Sequence, residues 1–177
     1  MLMTSFAYAD NVNFKGNVAF FSDAPVEKIN GTASAKGKLA LDVKALDKLK
    51  GAFSVPVASM KTGNDMRDQH LQGAEWLNAK KCPNIAFEFS GAKVLKSATK
   101  KGVSMALLEV SGDIAINCTK KPLTTKVELK WKENKYKANT AFNITLADFN
   151  VAGKKGIVGN KVGKQIAVKV SFKGQGK

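Results

Sequence analysis

The feature that most constrains this chain is the alternation of apolar and polar residues at every second position. Because successive side chains of a β-strand point to opposite faces, each such segment has one apolar face and one polar, Lys-rich face. The pattern predicts an all-β protein of about eight strands. The apolar residues of these segments are Val18 and Phe20; Leu39, Leu41 and Val43; Phe53, Val55 and Val57; Ile85, Phe87 and Phe89; Leu108, Val110, Ile114 and Ile116; Val127, Leu129 and Trp131; Phe142, Ile144 and Leu146; and Ile166, Val168, Val170 and Phe172.

Segments rich in Gly, Asn and Lys separate these strands and predict turns at residues 29–37, 100–104, 132–135 and 152–164. A bend or bulge is expected at Gly112, which interrupts one of the alternating segments. No shift in composition or internal repeat divides the sequence. We therefore expect residues 10–177 to form a single domain.

Eight antiparallel strands with one dry face can close into an up-and-down barrel or stack as a sandwich, and the alternation fits both. A barrel would remove exposed strand edges and, at eight strands, would leave room for one small ligand. The one convincing helical stretch is an insertion over about 64–79, with Asn64 as N-cap and Gly73 as a stop signal. It would lie across one end of a barrel.

The net charge of +15 comes from 29 Lys and Arg residues against 14 Asp and Glu, and Arg67 is the single Arg. Lysines scattered along the chain indicate a solvated surface, with weak contact to an anionic membrane surface as the alternative. Specific nucleic-acid readers rely on Arg and stacked aromatics, so no specific nucleic-acid partner is predicted.

Residues 1–9 end in Ala7-Tyr8-Ala9, the small-x-small pattern of a signal-peptidase site. We expect a residual signal-peptide segment there, with an ordinary lead-in to the first strand as the alternative. Cys82 and Cys118 could form one disulfide or remain free buried thiols. One His and no C-x-x-C pattern predict no metal site and no cofactor.

The segment 64–89 contains the single Arg and the single His, and three interpretations compete. In the catalytic interpretation His70 is a general base, Asp68 or Glu75 orients it and Arg67 holds an anion. This is disfavoured, because Asp68 and His70 are two apart on a helix and point away from one another. Arg67 and His70 could instead meet a ligand headgroup at the barrel mouth. The favoured interpretation is structural: Arg67, Asp68 and His70 tie the helix to neighbouring strands, while Leu71, Trp76 and Leu77 plug the barrel end.

Three groups of residues form motifs in a fixed order along the chain: Thr62, Arg67, Asp68, His70, Leu71, Trp76, Leu77, Pro83, Ile85 and Phe87; Gly112, Ile114, Ile116, Thr119, Lys121 and Pro122; and Asp148 and Phe149. These motifs resemble the YceI-like family of polyisoprenoid-binding proteins over about residues 12–172. The resemblance departs from the family pattern at Thr145, Leu146 and Ala147, where an Arg is usual, at Asn150, where Gly is usual, and in the absence of the family's common opening His.

The resemblance implies a lipocalin-like antiparallel barrel, periplasmic or secreted, that holds a long isoprenoid, quinone or fatty-acid-like chain in its bore without catalysing a reaction. The alternative is a basic interaction module with a filled core that docks on an anionic membrane surface or a partner protein. The oligomeric state is open, and a homodimer is one outcome. The expected ligand-binding residues are Phe20, Phe53, Val55, Val57, Arg67, His70, Trp76, Phe87, Phe89, Ile114, Ile116, Trp131, Phe142 and Ile144.

Overall fold

The structure, a computed structural model, describes residues 10–176, and the expected signal-peptide remnant at residues 1–9 lies outside this range. Eight strands form a closed antiparallel barrel in which each strand pairs with its chain neighbours and β1 pairs with β8. Closure decides between barrel and sandwich and confirms the eight-stranded all-β prediction. The strands are β1 Asp10–Asp23, β2 Lys28–Leu41, β3 Lys50–Pro56, β4 Asn84–Lys100, β5 Val103–Ile116, β6 Thr119–Lys132, β7 Lys135–Thr145 and β8 Gln165–Gln175.

The up-and-down order places alternate connections at opposite ends. The end that carries the β1–β2, β3–β4, β5–β6 and β7–β8 connections is called the mouth, and the other end is called the base. The helix α1, Asp65–Gln72, belongs to the long β3–β4 connection and therefore lies at the mouth. No helix within residues 10–176 has the length and apolarity needed to cross a membrane.

The prediction of a turn over 29–37 is wrong, because these residues form most of β2. Gly31, Ala33 and Ala35 alternate inward and are buried, while the polar residues between them are exposed. Small inward residues leave space for larger neighbours: a Cβ at Gly31 would overlap the ring of Phe20 on β1. The Gly and Ser residues of this segment predicted a loop, but they belong to strand β2, where Gly31 lies under the ring of Phe20.

Two further local predictions are refined by the structure. The irregularity expected at Gly112 is present at its pair with Phe89, but the extra residue lies on the partner strand β4, between Phe89 and Gly91. The missing side chain of Gly112 makes room for the ring of Phe87. Val43 lies in the connection after β2 and is exposed, because β2 ends at Leu41.

The base is closed by apolar packing. A short 3₁₀ turn in the β2–β3 connection brings Leu46 into the interior, and Leu49 follows it; both are buried. Phe14 packs edge-on against Phe53 and Phe172, at centroid distances of 5.8 and 6.3 Å. This aromatic group fills the barrel next to its closed end.

Candidate ligand cavity and its mouth

A cavity of about 1010 Å³ occupies the barrel interior and reaches the exposed residues of the mouth. Inward side chains from all eight strands form its wall, and nearly all of them are apolar because the period-2 pattern directs one face of every strand inward. Ser22, a buried polar residue of the wall, accepts a hydrogen bond from the Gly163 N–H at 2.7 Å. The volume lies at the upper end of the range for small-molecule pockets.

The structure brings twelve of the fourteen expected ligand-binding residues together around this cavity. Nine of them lie on the barrel strands, Arg67 and His70 lie on α1 at the mouth, and Trp76 lies in the turns that follow α1. Their contact with a ligand remains a prediction. The twelve are Phe20, Phe53, Val55, Arg67, His70, Trp76, Phe87, Phe89, Ile114, Ile116, Phe142 and Ile144.

Val57 and Trp131 do not line the cavity. Val57 lies in a 3₁₀ turn that follows β3, where strand alternation has stopped, and its N–H donates to the Pro83 carbonyl at 2.9 Å. Trp131 pairs with Tyr136 close to the base end of β6. It packs against the apolar cluster near the base and lies outside the cavity wall. These two residues are therefore removed from the candidate site.

The expected ligand-binding residues included Phe20 of β1 but left out Phe14 of the same strand and every residue of β8. Phe14, Val168 and Phe172 all line the cavity. The signal for Phe14 was present, since β1 extends the Val18 and Phe20 alternation back to Val12. The glycine at position 16 interrupts the apolar face and concealed this continuation.

The mouth insertion begins as predicted. Asn64 caps α1 by accepting the Arg67 N–H at 3.0 Å, and the helix ends at Gly73. Hydrogen-bonded turns then continue to Cys82, so the region 74–79 that was expected to be helical is a series of turns. Gly73 itself accepts from the Trp76 and Asn78 amides at 3.1 and 2.9 Å, which folds the chain back under the helix.

Asp68 anchors this helix from its buried side. Its Oδ1 accepts from the Thr62 hydroxyl at 2.7 Å and from the Thr62 amide at 2.8 Å, and Lys61 lies 3.5 Å from Oδ2. The hydrogen bond from the Thr62 hydroxyl is the main cause that lowers the pKa of Asp68, although burial acts in the opposite direction. A carboxylate held in this way fixes α1 to the segment that follows β3.

Arg67 connects α1 to a second connection at the mouth. Its Nε donates to the Thr62 hydroxyl at 3.2 Å, and its guanidinium forms an ion pair with Glu27 at 2.7 Å. Glu27 lies between β1 and β2, so the pair joins two mouth connections directly above the cavity. The structural role predicted for Arg67 is the one that its geometry shows.

His70 differs from these neighbours. It is exposed, borders the cavity, and has no side-chain hydrogen bond within the part of the chain that the structure describes. The predicted tie through His70 is therefore wrong. Asp68 is engaged by Thr62 rather than by His70, so the two do not form a catalytic pair.

Leu71, Trp76 and Leu77 line the cavity from the mouth side, as a plug of its upper end would. Trp76 packs closely on Gly153, whose positive φ of 65° and missing side chain allow this approach. The Gly153 amide also donates to the Glu75 carbonyl at 3.1 Å. The insertion and the β7–β8 connection thus close over the bore together.

Lys154 and Lys161 complete the rim of the cavity. Both are exposed and belong to the β7–β8 connection, which the sequence indicated only as a turn. Nothing in the local pattern marked these lysines among the 28 of the chain.

Cys82 and Cys118 form a disulfide between the end of the insertion and the β5–β6 turn, with their Cα atoms 5.5 Å apart. This decides between the two alternatives left open by the sequence. Within residues 10–176, no three His, Cys, Asp or Glu side chains converge in an arrangement that could hold a metal ion.

Fold and cavity together define this protein as a closed antiparallel barrel with an apolar interior that opens at one end. The chain belongs to the YceI-like family, whose domain model matches residues 9–174. The match confirms the resemblance read from the motif around Arg67 and spans nearly the whole barrel.

The chain is also similar in sequence to individual curated proteins. Protein YceI of Escherichia coli O6:H1 is 28% identical over 140 residues, which is 75% of this chain and 68% of that protein. UPF0312 protein Ent638_1570 of Enterobacter sp. strain 638 is also 28% identical over 140 residues, covering 75% of this chain and 67% of its own length.

Solved structures share the fold. BcnA of Burkholderia cenocepacia superposes with a TM-score of 0.73 at 18% identity, covering 89% of this chain and 95% of its own. A polyisoprenoid-binding domain of Saccharophagus degradans, implicated in plant cell wall breakdown, gives 0.71 at 12% identity, with 96% and 99% covered. Both likenesses concern the barrel architecture.

Proposed function

We propose that this protein binds a long-chain amphiphile, such as a polyisoprenoid, an isoprenoid quinone or a fatty-acid-like lipid, inside its barrel. The observation that carries the proposal is the cavity of about 1010 Å³ with an apolar wall built by all eight strands. An alternative with a filled core does not fit this hollow interior. The fold shared with a polyisoprenoid-binding domain supports the same class of ligand.

The wall suits a flexible hydrocarbon chain. Each CH₂ moved from water into an apolar bore contributes about 0.8 kcal/mol, and this contribution has no directional requirement. Rings such as Phe87 and Phe89, at a centroid distance of 5.0 Å, give a shaped surface against which chain length and branching are distinguished. The affinity would thus come from the hydrocarbon chain of the ligand.

The polar head of the ligand would remain at the mouth. His70 is exposed there beside the Arg67–Glu27 ion pair, and Lys154 and Lys161 lie on the same rim. Donors of this type hold a phosphate, carboxylate or quinone oxygen well. We propose His70 as a head contact, since no protein partner within residues 10–176 engages its imidazole.

Export to the periplasm or beyond is part of this proposal. The Cys82–Cys118 disulfide supports it, because such bonds persist in oxidising compartments. The Ala7-Tyr8-Ala9 pattern supports it from the sequence. We also propose that the protein binds its ligand without catalysing a reaction, because Asp68 is held by Thr62 and does not pair with His70.

Contact with an anionic membrane surface is a second candidate, favoured by the β4–β5 hairpin at the base. There Val94, Leu95 and Met105 are exposed among lysines, a combination suited to lipid headgroups and the acyl boundary. Homodimerisation stays a prediction.

Two tryptophan substitutions on β8 test the main proposal. Val168 faces the cavity, whereas Lys169 is exposed on the outer face. Val168→Trp should weaken binding of a fluorescent long-chain fatty acid at least tenfold by filling the bore, and Lys169→Trp should leave it unchanged. Equal binding by both variants would place the ligand outside the barrel.

A further inference from the structure

Three of the eight strand seams are incomplete, and two of these are covered by other parts of the chain. β2 and β3 pair only over Lys36–Ala40 and Lys50–Ser54. Above this ladder the insertion covers β2: Thr32 and Lys61 exchange backbone hydrogen bonds of 2.8 Å. β3 and β4 pair only as far as Glu88, and the turn with buried Leu46 packs beside β4 below it.

The β6–β7 seam is covered only at its upper end, where the 3₁₀ turn Leu146–Phe149 contacts β6. The ladder runs from Lys132↔Lys135 to Val127↔Thr140 and stops, although β6 extends back to Thr119 and β7 extends on to Thr145. The two strands are joined at the base by a tight hairpin, so their connection has no residues to fill the gap. Pro122 lies in the part of β6 that has no β7 partner, although it pairs with Asp113 of β5, and it has no N–H to donate.

Side chains, rather than a ladder, hold this seam together. At its lower end the hydroxyls of Thr125 and Thr140 are 2.9 Å apart, and Thr140 donates to the Lys126 carbonyl at 2.9 Å. At its upper end the Asn150 amide donates to the Thr119 hydroxyl at 3.1 Å. We call the region between these two clasps the side slot.

The side slot leads directly to the cavity. Leu123 on β6 and Phe142 and Ile144 on β7 lie beside it and line the bore. Strand edges without a ladder partner leave N–H and C=O groups that require water or another partner. The side slot is therefore the part of the side wall where no continuous backbone ladder separates the cavity from the outside.

We infer that the side slot is the portal through which the apolar chain of the ligand enters and leaves the bore. This inference rests on the proposed function. The mouth is crossed by two hydrogen-bonded connections and a disulfide, whereas the slot is spanned by a few hydroxyl and amide contacts. The hydrocarbon chain of a ligand therefore meets its smallest barrier at the side slot.

Blocking the slot from outside tests the portal. Ala141 is exposed on β7 at the slot, does not line the cavity, and pairs across the complete β7–β8 ladder with Lys169. Ala141→Trp should slow both association and dissociation of a fluorescent long-chain fatty acid at least fivefold in stopped-flow mixing, with the dissociation constant unchanged. Lys169→Trp places the same ring one strand away and should change neither rate.

Opening the slot provides the reciprocal test. The double substitution Thr125→Val and Thr140→Val removes the lower clasp and should speed association severalfold. The control, Ser111→Ala with Thr124→Val, removes a hydroxyl pair 3.0 Å apart across the complete β5–β6 ladder and should have no kinetic effect. If the clasp variant does not fold, Ala141→Trp decides alone.

The two proposals fail differently. Wild-type binding with rates that neither Ala141→Trp nor the clasp variant changes would overturn the portal and leave the carrier function standing. A wild-type protein that binds neither fatty acid nor polyprenol would overturn both.

Discussion

The mouth and the base of this barrel are closed in different ways. At the base, apolar side chains such as Leu46, Leu49 and Phe14 pack in the interior. At the mouth, an apolar cluster that includes Leu77 and Phe149 is joined by polar tethers, since Asp68 and Arg67 hold a short helix through charge-assisted hydrogen bonds.

The difference shows how one fold can be both stable and hollow. Apolar packing at the base supplies stabilisation in proportion to the area that it buries. Polar tethers contribute less to the net free energy, but they have directional requirements and fix where a lid lies. The base of this barrel therefore relies on buried apolar area, whereas the mouth combines buried apolar area with polar tethers that fix the helix.

The largest effect is expected from a cavity made at the base. Phe14 is 2% exposed and contacts three other aromatic rings. Phe14→Ala should lower the free energy of unfolding by about 3–5 kcal/mol. Phe142→Ala, which shortens a half-buried side chain facing the bore, should lose only about 1–2 kcal/mol. Urea denaturation of both variants measures the difference, and equal losses would contradict the contrast between the two ends.

Removing the disulfide should have the next largest effect, at the mouth. Cys82→Ala with Cys118→Ala opens a cross-link of sequence separation 36 and should lower the free energy of unfolding by about 2–4 kcal/mol. Reductant should lower the denaturation midpoint of the wild type and leave the double variant unaffected. A wild-type midpoint that is insensitive to reductant would argue against the disulfide.

The smallest effect is expected when acid protonates Asp68, the carboxylate that tethers α1. The pKa of Asp68 lies below its ordinary value of 3.8 because the Thr62 hydroxyl stabilises the ionised form. Its contribution is therefore complete above that value and is lost as the pH falls through the lowered folded-state pKa. The protection factors of the α1 amides, which are the intrinsic exchange rates divided by the observed rates at the same pH, should fall in that acidic window.

Asp68→Asn should abolish this pH dependence, and Asp65→Asn provides the matched control. Asp65 is an exposed carboxylate in the first turn of the same helix. An acid transition of the α1 amides that persists in Asp68→Asn would assign it to another group.

The strands could be predicted from sequence because alternation is a local property. The apolar positions of β4, β7 and β8 predicted their inward faces, and the caps Asn64 and Gly73 predicted the ends of α1. Where prediction failed, the cause was a tertiary contact. Gly31 reads as a turn residue until the ring of Phe20 is known to lie on it.

The candidate site was likewise predictable only where it depends on local sequence patterns. The residue types of the bore were predictable, but Val57 and Trp131 were included because the depth of the bore and the end of β3 are not visible in a period-2 pattern. The side slot was not predictable either. Whether β6 and β7 stay paired depends on how the barrel closes, and Pro122 was its one local signal.

The most direct test of the account is native mass spectrometry of the purified full chain, followed by solvent extraction and lipid mass analysis. We expect a one-to-one adduct of several hundred daltons that extraction releases as an isoprenoid or another long-chain amphiphile. The same preparation of Val168→Trp should carry much less of it. A bare protein mass that remains after incubation with polyprenol, quinone and fatty acid would contradict a lipid-carrying barrel.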